Sequence, residues 1–371
     1  MPLSAPQPSP ALPSAERRPR LLLTCGDPAG IGPEIVRKAW REASLHALAR
    51  LRVVASAGVL GEGPVVEVEP GDPRPSSPDT LLRIDPASDA AGRSPRNEPP
   101  PERFVVGSPS AAGGRAAAEA VARAAELVLQ GFAEAIVTGP LNKAALRAAG
   151  YDVPGHTELL ARACGLPDAG VSMMLYLPPG PELSSPGGLG VVHVTLHESL
   201  RTAVARISTE GIVAAGERLS RLMRRFLERP ARIAVCAVNP HGGESGLFGD
   251  EEAGIVEPAV RALAASGIDV TGPLPADTLF LQCRRGRFDG VVALYHDQGH
   301  IPVKLLGMHR AVNITLGLPI VRTSVAHGTA YDIAGTGAAD ESSMVSAIRA
   351  AVRLCGTVTD GADSRSRGSS R

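Results

Sequence analysis

Aromatic residues are scarce in this 371-residue chain: they make up 3% of it, although 44% of the residues are hydrophobic. The interior must therefore be built mainly from Ala, Val, Leu and Ile, a composition typical of helices packed on parallel strands. Net charge is also absent, because 38 Lys and Arg balance 38 Asp and Glu. That balance excludes a global electrostatic field for holding nucleic acid or an anionic membrane, so any charge that the protein uses must be local.

Closely spaced cysteines and long apolar runs are missing as well. The five cysteines form no CxxC pair, and their odd number favours reduced thiols and a cytoplasmic location over a disulfide framework. No apolar run reaches the length of about 18 residues that a membrane span needs. Residues 1–19 are rich in Pro and Ser without an apolar signal-peptide core, so this segment and the polar segment 358–371 are predicted to be disordered tails.

The body of the chain alternates apolar strand segments with helical segments. The stretch "RLLLTCGDPAGIGPEIVRKAW" predicts a buried strand, a turn and a helix, and "SAAGGRAAAEAVARAAELVLQG" predicts a long helix that Gly131 ends. Further strands are predicted at "EAIVTGP", "GLGVVHVTL", "ARIAVCAVNP", "FDGVVALYH" and "AVNITLG". Strands that alternate with helices imply crossover connections, so the sequence predicts an α/β fold with mainly parallel strands and flanking helices.

Polar residues follow five of the predicted strands, which is where an open α/β sheet binds its ligands. In order they are "CGDPAGIGPE", "GPLNK", His197 with Glu198, "NPHGGESG", and His296 with Asp297. Because His197, His241 and His296 each end a separate strand, their imidazoles can converge on a divalent metal and leave a position open for substrate. The alternative is that one of them only caps a helix or a turn.

Side chains near these histidines are candidates for orienting the rings. A ligating imidazole needs a hydrogen bond to its other ring nitrogen, and Asp297, Asn239 and Asp277 are placed to provide one. Asn239 and Asp277 are equally well explained as ordinary turn residues.

Glycines and cations near the strand ends suggest an anionic ligand. The loop "GDPAGIGPE" matches neither GxxxxGK[ST] nor GxGxxG, although its glycines allow the backbone to approach a ligand closely. Lys143, Lys304 and Arg322 stand near strand ends or loops, and together they suit a small substrate that carries phosphate or carboxylate. Each of them taken alone is equally an ordinary surface charge.

Seven longer motifs occur in order along the chain: "GDPAGIGPEI", "VTGPLNK", "GHTELLA", "NPHGGESGLFGDEE", "GPLPADTLF", "YHDQGHIPVKLLG" and "VNITLGLPIVRTSVAHGTAYDIAG". Between Leu21 and Val358 they resemble the 4-hydroxythreonine-4-phosphate dehydrogenase family of vitamin B6 synthesis. The resemblance implies a two-domain fold similar to isocitrate and isopropylmalate dehydrogenases. It also implies a homodimer, NAD or NADP as oxidant, and one divalent metal such as Zn, Mg, Co or Mn.

The resemblance also implies roles for single residues. The family's metal ligands fall on His197, His241 and His296, with two ligands from one subunit and the third from its partner. Its substrate contacts fall on a second set of residues, namely His156, Thr157, Lys304, Asn313 and Arg322. Asp277 and Lys304 are the candidates for moving protons during catalysis.

The same resemblance predicts the domain boundaries. Residues 20–140 and 318–357 form a first α/β domain, in which residues 61–103, rich in Pro, Gly, Ser and Asp, are an irregular loop insertion. Residues 141–317 form a second α/β domain that carries the metal site and the dimer interface.

Substrate identity has two candidates within this resemblance. The first is 4-hydroxythreonine 4-phosphate, oxidised at C3 and then decarboxylated on the way to pyridoxal phosphate. The motifs "HDQGHIP" and "SGLFGDEE" resemble more closely a sister group that acts on D-threonate or D-erythronate 4-phosphate. The two compounds differ at C2, where an amine needs an acceptor and a hydroxyl tolerates a donor. His300 is expected to be such a donor, and the alternative is that it is an ordinary residue at the rim of the site.

Two other classes of function are compatible with three histidines. A metal-dependent hydrolase or phosphatase would use them to activate water and would turn over without NAD. A catalytically inactive regulator would need the loss of a site residue, and none is lost in these motifs.

Overall fold

The computed structural model describes residues 18–88, 104–153, 155–167, 170–227 and 229–356. The tails predicted at 1–19 and 358–371 therefore lie outside the described residues, apart from positions 18 and 19. Residues 89–103 of the predicted insertion lie outside them too.

Within the described residues, twelve strands form a single sheet. The strands are β1 Arg20–Thr24, β2 Arg50–Val54, β3 Val65–Glu67, β4 Leu81–Ile84, β5 Ala135–Thr138, β6 Ser172–Leu177, β7 Leu189–His193, β8 Ile233–Cys236, β9 Val270–Leu274, β10 Gly290–Ala293, β11 Val312–Leu316 and β12 Val321–Val325. Most of them are buried apolar runs, as the hydrophobic pattern predicts for a sheet covered on both faces.

Helices cover the two faces of this sheet. They are α1 Gly32–Trp40, α2 Ala43–Leu48, α3 Ala111–Leu129, α4 Lys143–Ala148, α5 His156–Ala163, α6 Leu200–Arg206, α7 Thr209–Met223, α8 Glu257–Ala265, α9 Ala276–Arg284, α10 His296–Gly307 and α11 Ser342–Gly356. None of the helices within the described ranges is long and apolar enough to cross a membrane.

The strand directions divide the sheet into two parallel halves. In the order β3-β4-β2-β1-β5-β12-β11-β6-β7-β10-β8-β9, the first six strands are parallel to one another and so are the last four. Between them, β11 is antiparallel to β12 and β6, and β6 is antiparallel to β7. The two halves therefore run in opposite directions, and we call them the first half (β1–β5 and β12) and the second half (β7–β10).

Small residues let the helices pack closely. The predicted long helix is α3, whose N-cap Ser110 accepts a hydrogen bond from the Gly113 amide. A Cβ at Gly114 would lie 2.1 Å from the Ala145 carbonyl oxygen, so α3 and α4 approach each other backbone to backbone. On β12, Thr323 donates to the Ala347 carbonyl and joins α11 to the sheet.

The predicted fold class is confirmed: the chain is an α/β protein with a large, mostly parallel sheet and flanking helices. One expectation is wrong, because residues 61–103 are not irregular throughout. They contain β3 and β4, which extend the first half of the sheet by two parallel strands. These strands are not evident from the sequence, because turn-forming residues surround them and each is only three or four residues long. Neither shows an alternation of apolar and polar residues that would indicate a strand. The division into two domains at 140 and 318 stays a prediction.

Candidate active site

A cavity of about 290 Å³ lies where the two halves of the sheet meet. From the first half, Pro140 follows β5 and Ser324 belongs to β12; the middle strands contribute Met173 and Asn313. The second half contributes side chains that follow β7 and β10, namely His197, His296, His300 and Lys304. The carboxyl ends of the strands in the two halves point in opposite directions, because the antiparallel strands β6 and β11 lie between the halves. Residues that follow the strands of both halves nevertheless line one cavity.

Four histidines of the second half lie side by side. The ring centroids of His197 and His296 are 5.8 Å apart, and those of His296 and His300 are 3.7 Å apart with nearly parallel planes. His193, the last residue of β7, places its ring centroid 4.5 Å from that of His300. Among the histidines that the sequence singled out as metal ligands, the structure therefore brings together His197 and His296.

Burial and nearby positive charge lower the pKa of His197 and of His300. Burial lowers the pKa of His197, and the charges of Lys143 and His296 lower it further. Burial, with a smaller effect of His296, lowers the pKa of His300 to about 4. Neutral imidazoles are the form that binds metal ions.

Asp297 contacts His296 as a ring-orienting residue would. His296 Nδ1 is 2.7 Å from Asp297 Oδ1, and because a carboxylate accepts, Nδ1 donates and Nε2 keeps its lone pair. His296 is the first residue of α10 and follows an extended Tyr295, so the helix start fixes its position.

His241 lies apart from the other two predicted ligands. It is exposed, it does not line the cavity, and its ring centroid is 6.3 Å from that of Phe248. Within the part of the chain that the structure describes, no group of three or more His, Cys, Asp or Glu is arranged to hold a metal. A single chain therefore provides two of the three predicted ligands at one place.

The loop that carries His241, Pro240–Gly246, has an unusual backbone. His241 has a φ of 53°, and Glu244 and Ser245 also have positive φ. Such conformations cost energy for residues with a Cβ and persist only where the surroundings impose them. The buried Glu252 anchors the start of this loop by accepting hydrogen bonds from the amides of Val238 and Asn239 at 2.8 and 2.7 Å.

Asn239 does not orient a histidine in this chain. Its side-chain amide donates to Glu251 and Glu252 instead. Asp277, the other candidate, is exposed in the first turn of α9 and does not line the cavity.

Arg322 is a buried cation that does not itself line this cavity; it lines a second cavity of about 230 Å³, and its charge acts on His156, which lines the first. Its side chain is 1% exposed and donates to Thr315 at 3.0 Å and to Thr138 at 2.7 Å. Burial lowers the pKa of its guanidinium to about 9, against an opposing effect of Glu158. No described carboxylate forms a hydrogen bond with it, and its Nε has no partner among the described residues. A guanidinium held this way suits an anionic ligand.

His156 and Asn313 present further unpaired atoms. Burial, followed by the charge of Arg322, holds the pKa of His156 well below its usual range. Its Nε2 and the Oδ1 of Asn313 are buried without a partner among the described residues, while both side chains line the cavity. Thr157 is the next residue of α5 and does not itself line the cavity. Buried polar atoms without partners indicate a missing ligand.

The glycine-bearing loop after β1 does not approach this cavity. Cβ atoms at Gly30 and Gly32 would lie 2.6 Å from the Thr329 carbonyl oxygen and 1.7 Å from that of Cys25. The buried Asp27 accepts from the Tyr331 hydroxyl at 2.7 Å and from the Ala29 amide at 3.0 Å. These glycines allow close packing of the chain on itself, so the ligand-binding interpretation of the loop gains no support.

Two polar residues that line the cavity, and a third that contacts one of its histidines, are not predicted from the sequence. Ser324 and His327 line it from the end of β12 and the loop beyond, in the motif whose predicted site residues are Asn313 and Arg322. His193 contacts His300 from β7. The rule that functional residues follow strand ends predicts His193 only if the strand ends there. The apolar pattern in the sequence extends the strand to Leu196.

Comparison with known proteins gives the same family on several grounds. The family model described as "Pyridoxal phosphate biosynthetic protein PdxA" matches residues 77–351. D-threonate 4-phosphate dehydrogenase of Cupriavidus necator is 44% identical over 91% of this chain and 97% of its own length. 4-Hydroxythreonine-4-phosphate dehydrogenase of Geobacter metallireducens is 42% identical over 91% of this chain and 96% of its own length.

A solved structure agrees with these sequence relatives. The 4-hydroxythreonine-4-phosphate dehydrogenase of Klebsiella pneumoniae is 42% identical, superposes with a TM-score of 0.74, and covers 91% of this chain and 99% of that chain. Relatives that align over nearly all of their own length share the whole fold and not a fragment of it. The chain therefore belongs to the PdxA family of pyridoxal phosphate biosynthetic proteins and is a dehydrogenase.

Proposed function

We propose that the protein oxidises 4-hydroxythreonine 4-phosphate at C3 with NAD or NADP and that the resulting keto acid loses carbon dioxide, a step toward pyridoxal phosphate. The observation that carries the proposal is one cavity lined by the imidazoles and Lys304 of the second half together with His156, Asn313 and Ser324. A short phosphorylated hydroxy acid matches this lining. Its anionic groups suit Lys304 and the unpaired Nε2 of His156, and its hydroxyl suits the imidazoles. Free thiols at all five cysteines agree with the cytoplasmic location expected for such an enzyme.

A divalent metal fits the two imidazoles of the second half. Two imidazoles on one zinc ion, with Zn–N near 2.0–2.1 Å, place their ring centroids roughly 5 Å apart. The 5.8 Å between His197 and His296 is close to that arrangement, and both rings can offer a lone pair. An ion bound there would polarise the C3 hydroxyl and stabilise the negative charge from which hydride leaves.

The third ligand in this proposal is His241 of a second copy of the chain. An open pocket lies beside His197 and His296, and Leu200 borders it. Apolar side chains around this pocket are exposed to solvent. Leu200 is 60% exposed on α6 and Leu305 is 82% exposed on α10. Leu247 and Phe248, which directly follow the His241 loop, are exposed apolar residues as well. Burial of these surfaces against each other would favour a homodimer with the metal site shared between subunits.

The remaining residues bind the substrate. In this proposal Arg322, His156 and Thr157 hold the phosphate: His156 lines the cavity with an unpaired imidazole nitrogen, and Arg322 is a buried cation whose charge acts on His156. Lys304 holds the carboxylate and donates a proton to C2 after carbon dioxide has left. Asp277 lies outside the cavity of its own chain, so its role as the base for the C3 hydroxyl requires that it come from the second copy, like His241.

D-threonate or D-erythronate 4-phosphate is the alternative substrate. Relatives named for either substrate match this chain to nearly the same extent, so both compounds belong in the test. The experiment measures NADH formation with each compound, with and without a metal chelator, and measures phosphate release in parallel. NADH formation that needs metal supports the proposal. Phosphate release without NAD would support a hydrolase and overturn it.

A further inference from the structure

His300 occupies a defined place in the cavity, between the proposed metal ligands and Lys304. Its ring stacks on that of His296 with centroids 3.7 Å apart and planes 10° apart. Lys304 follows one turn later on the same helix, and both side chains line the cavity. If C3 lies at the metal and the carboxylate at Lys304, the carbon between them, C2, lies beside His300.

The ring of His300 is held at one nitrogen. Its Nδ1 is 3.1 Å from the His296 carbonyl oxygen and 3.1 Å from Nε2 of His193. A carbonyl can only accept, so Nδ1 carries the proton and shares it between these two acceptors. In the tautomer that these two contacts favour, the lone pair is on Nε2, the ring nitrogen left for the cavity.

His193 is positioned to hold that ring. It is 3% exposed at the end of β7, and its Nε2 faces Nδ1 of His300. A Cβ at Gly299 would lie 2.4 Å from this Nε2, so only glycine at that position lets His193 approach. Gly299, which precedes His300 in the chain, and His193, which contacts its ring, therefore both contribute to this contact.

We propose that Nε2 of His300 binds the C2 substituent of the substrate as a hydrogen-bond acceptor, and that His193 is the positioning residue for this contact. This inference rests on the proposed function and deepens it. An acceptor takes a hydrogen bond from an ammonium or from a hydroxyl, so it selects for a donor at C2 and accepts the 2-amino compound. The expectation that His300 is a donor favouring the hydroxyl is thereby reversed.

Three substrates that differ only at C2 test the proposal. They are 4-hydroxythreonine 4-phosphate, D-threonate 4-phosphate and 3-hydroxy-4-phosphobutanoate, which has no substituent at C2. For the wild type, kcat/KM should favour the better of the two substituted compounds over the unsubstituted one by about tenfold or more. His300→Leu should reduce that preference to about twofold or less, which is judged from the ratio of the kcat/KM values and not from either value alone. His309→Leu, at a site whose side chain is 78% exposed, is the matched control and should change neither value.

Two His193 variants test positioning. Leu at this position removes the polar contact, whereas the amide of Gln can restore a polar atom near the place of Nε2. His193→Leu should weaken the preference for a C2 substituent, and His193→Gln should restore part of it. NMR of the histidine ring nitrogens should show the His300 proton on Nδ1 in the wild type, with the signal assigned by its loss in His300→Leu.

The outcomes separate this inference from the function on which it rests. If the wild type oxidises none of the three compounds, the proposed function fails and the inference fails with it. If the wild type is active but His300→Leu loses the same factor with all three compounds, the function stands and the C2 contact is wrong. A His300 proton found on Nε2 would also overturn the acceptor role.

Discussion

Arg322 in the first half of the sheet and the two proposed metal ligands in the second half differ in their exposure to solvent. In the first half, Arg322 is 1% exposed, and its hydrogen bonds go to the buried threonines Thr138 and Thr315. In the second half, the side chain of His296 is 35% exposed and His197 is more open still. The buried guanidinium of the first half is closed off from solvent, whereas these two imidazoles of the second half are open to it.

This difference corresponds to two tasks. A buried guanidinium that lacks a carboxylate partner is costly to fold, but it meets an incoming phosphate without rearrangement. Imidazoles that bind a metal must remain reachable by the metal, the substrate and a third ligand. In the proposed function, binding of the anion therefore depends on the fold of one chain, whereas assembly of the metal site depends on His241 of a second copy.

The largest expected effect comes from removing an imidazole of the second half. His296→Ala should lower kcat/KM at least roughly 10³-fold, because a metal supplies several kcal/mol of charge stabilisation and each 1.36 kcal/mol is tenfold in rate. NADH formation measures the loss, and circular dichroism checks that the fold persists. His309→Ala is the control for a histidine outside the cavity. Activity that survives both His296→Ala and chelation would exclude the metal assignment.

A smaller but more specific effect is expected from mixing inactive variants. If His241 reaches the His197 and His296 of another subunit, a heterodimer of His241→Ala and His296→Ala chains has one intact site out of two. With random exchange, half of the dimers are mixed, so activity should return to about a quarter of the wild-type value. Exchange is verified with differently tagged chains. Proven exchange without any recovery would place all three ligands within one chain.

Much of this fold follows from local patterns in the sequence. Strands such as β8 and β10 are apolar runs bounded by turns, and α3 has both a Ser110 cap and a glycine after its end, so propensity and burial agree. The reversal of direction between the halves does not follow, because it depends on how β6 and β11 pair. Nothing in either strand alone specifies that antiparallel pairing.

The site was predictable to the extent that strand ends determine it. His197 and His296 were found because each follows a clear apolar run, and the structure brings them together. His241 obeys the same rule and lies elsewhere, since its strand β8 stands near the edge of the sheet and its loop turns outward. Contacts between side chains from distant segments, such as His193 with His300, depend on the three-dimensional arrangement and on a glycine that makes room for them.

The smallest expected effect is on stability. It tests, at His156, whether the side of the cavity next to the first half is closed to water. Burial, followed by the charge of Arg322, holds the pKa of His156 well below its usual range, whereas the unfolded chain titrates near about 6.5. Above that pH both states are neutral at this residue, and stability does not change with pH on its account. As the pH falls below it, the unfolded chain takes up a proton that the folded chain does not, so the free energy of unfolding decreases. The slope is at most about 1.4 kcal/mol per pH unit and ends at the depressed pKa of the folded state.

Denaturant unfolding of the wild type and of His156→Gln between about pH 7.5 and 5.5, on either side of the ordinary histidine pKa, measures this slope. The other histidines are common to both proteins, so the wild type should lose more stability than the variant over this range. Parallel curves would mean that His156 titrates normally and that this side of the cavity is open to water, like the second half.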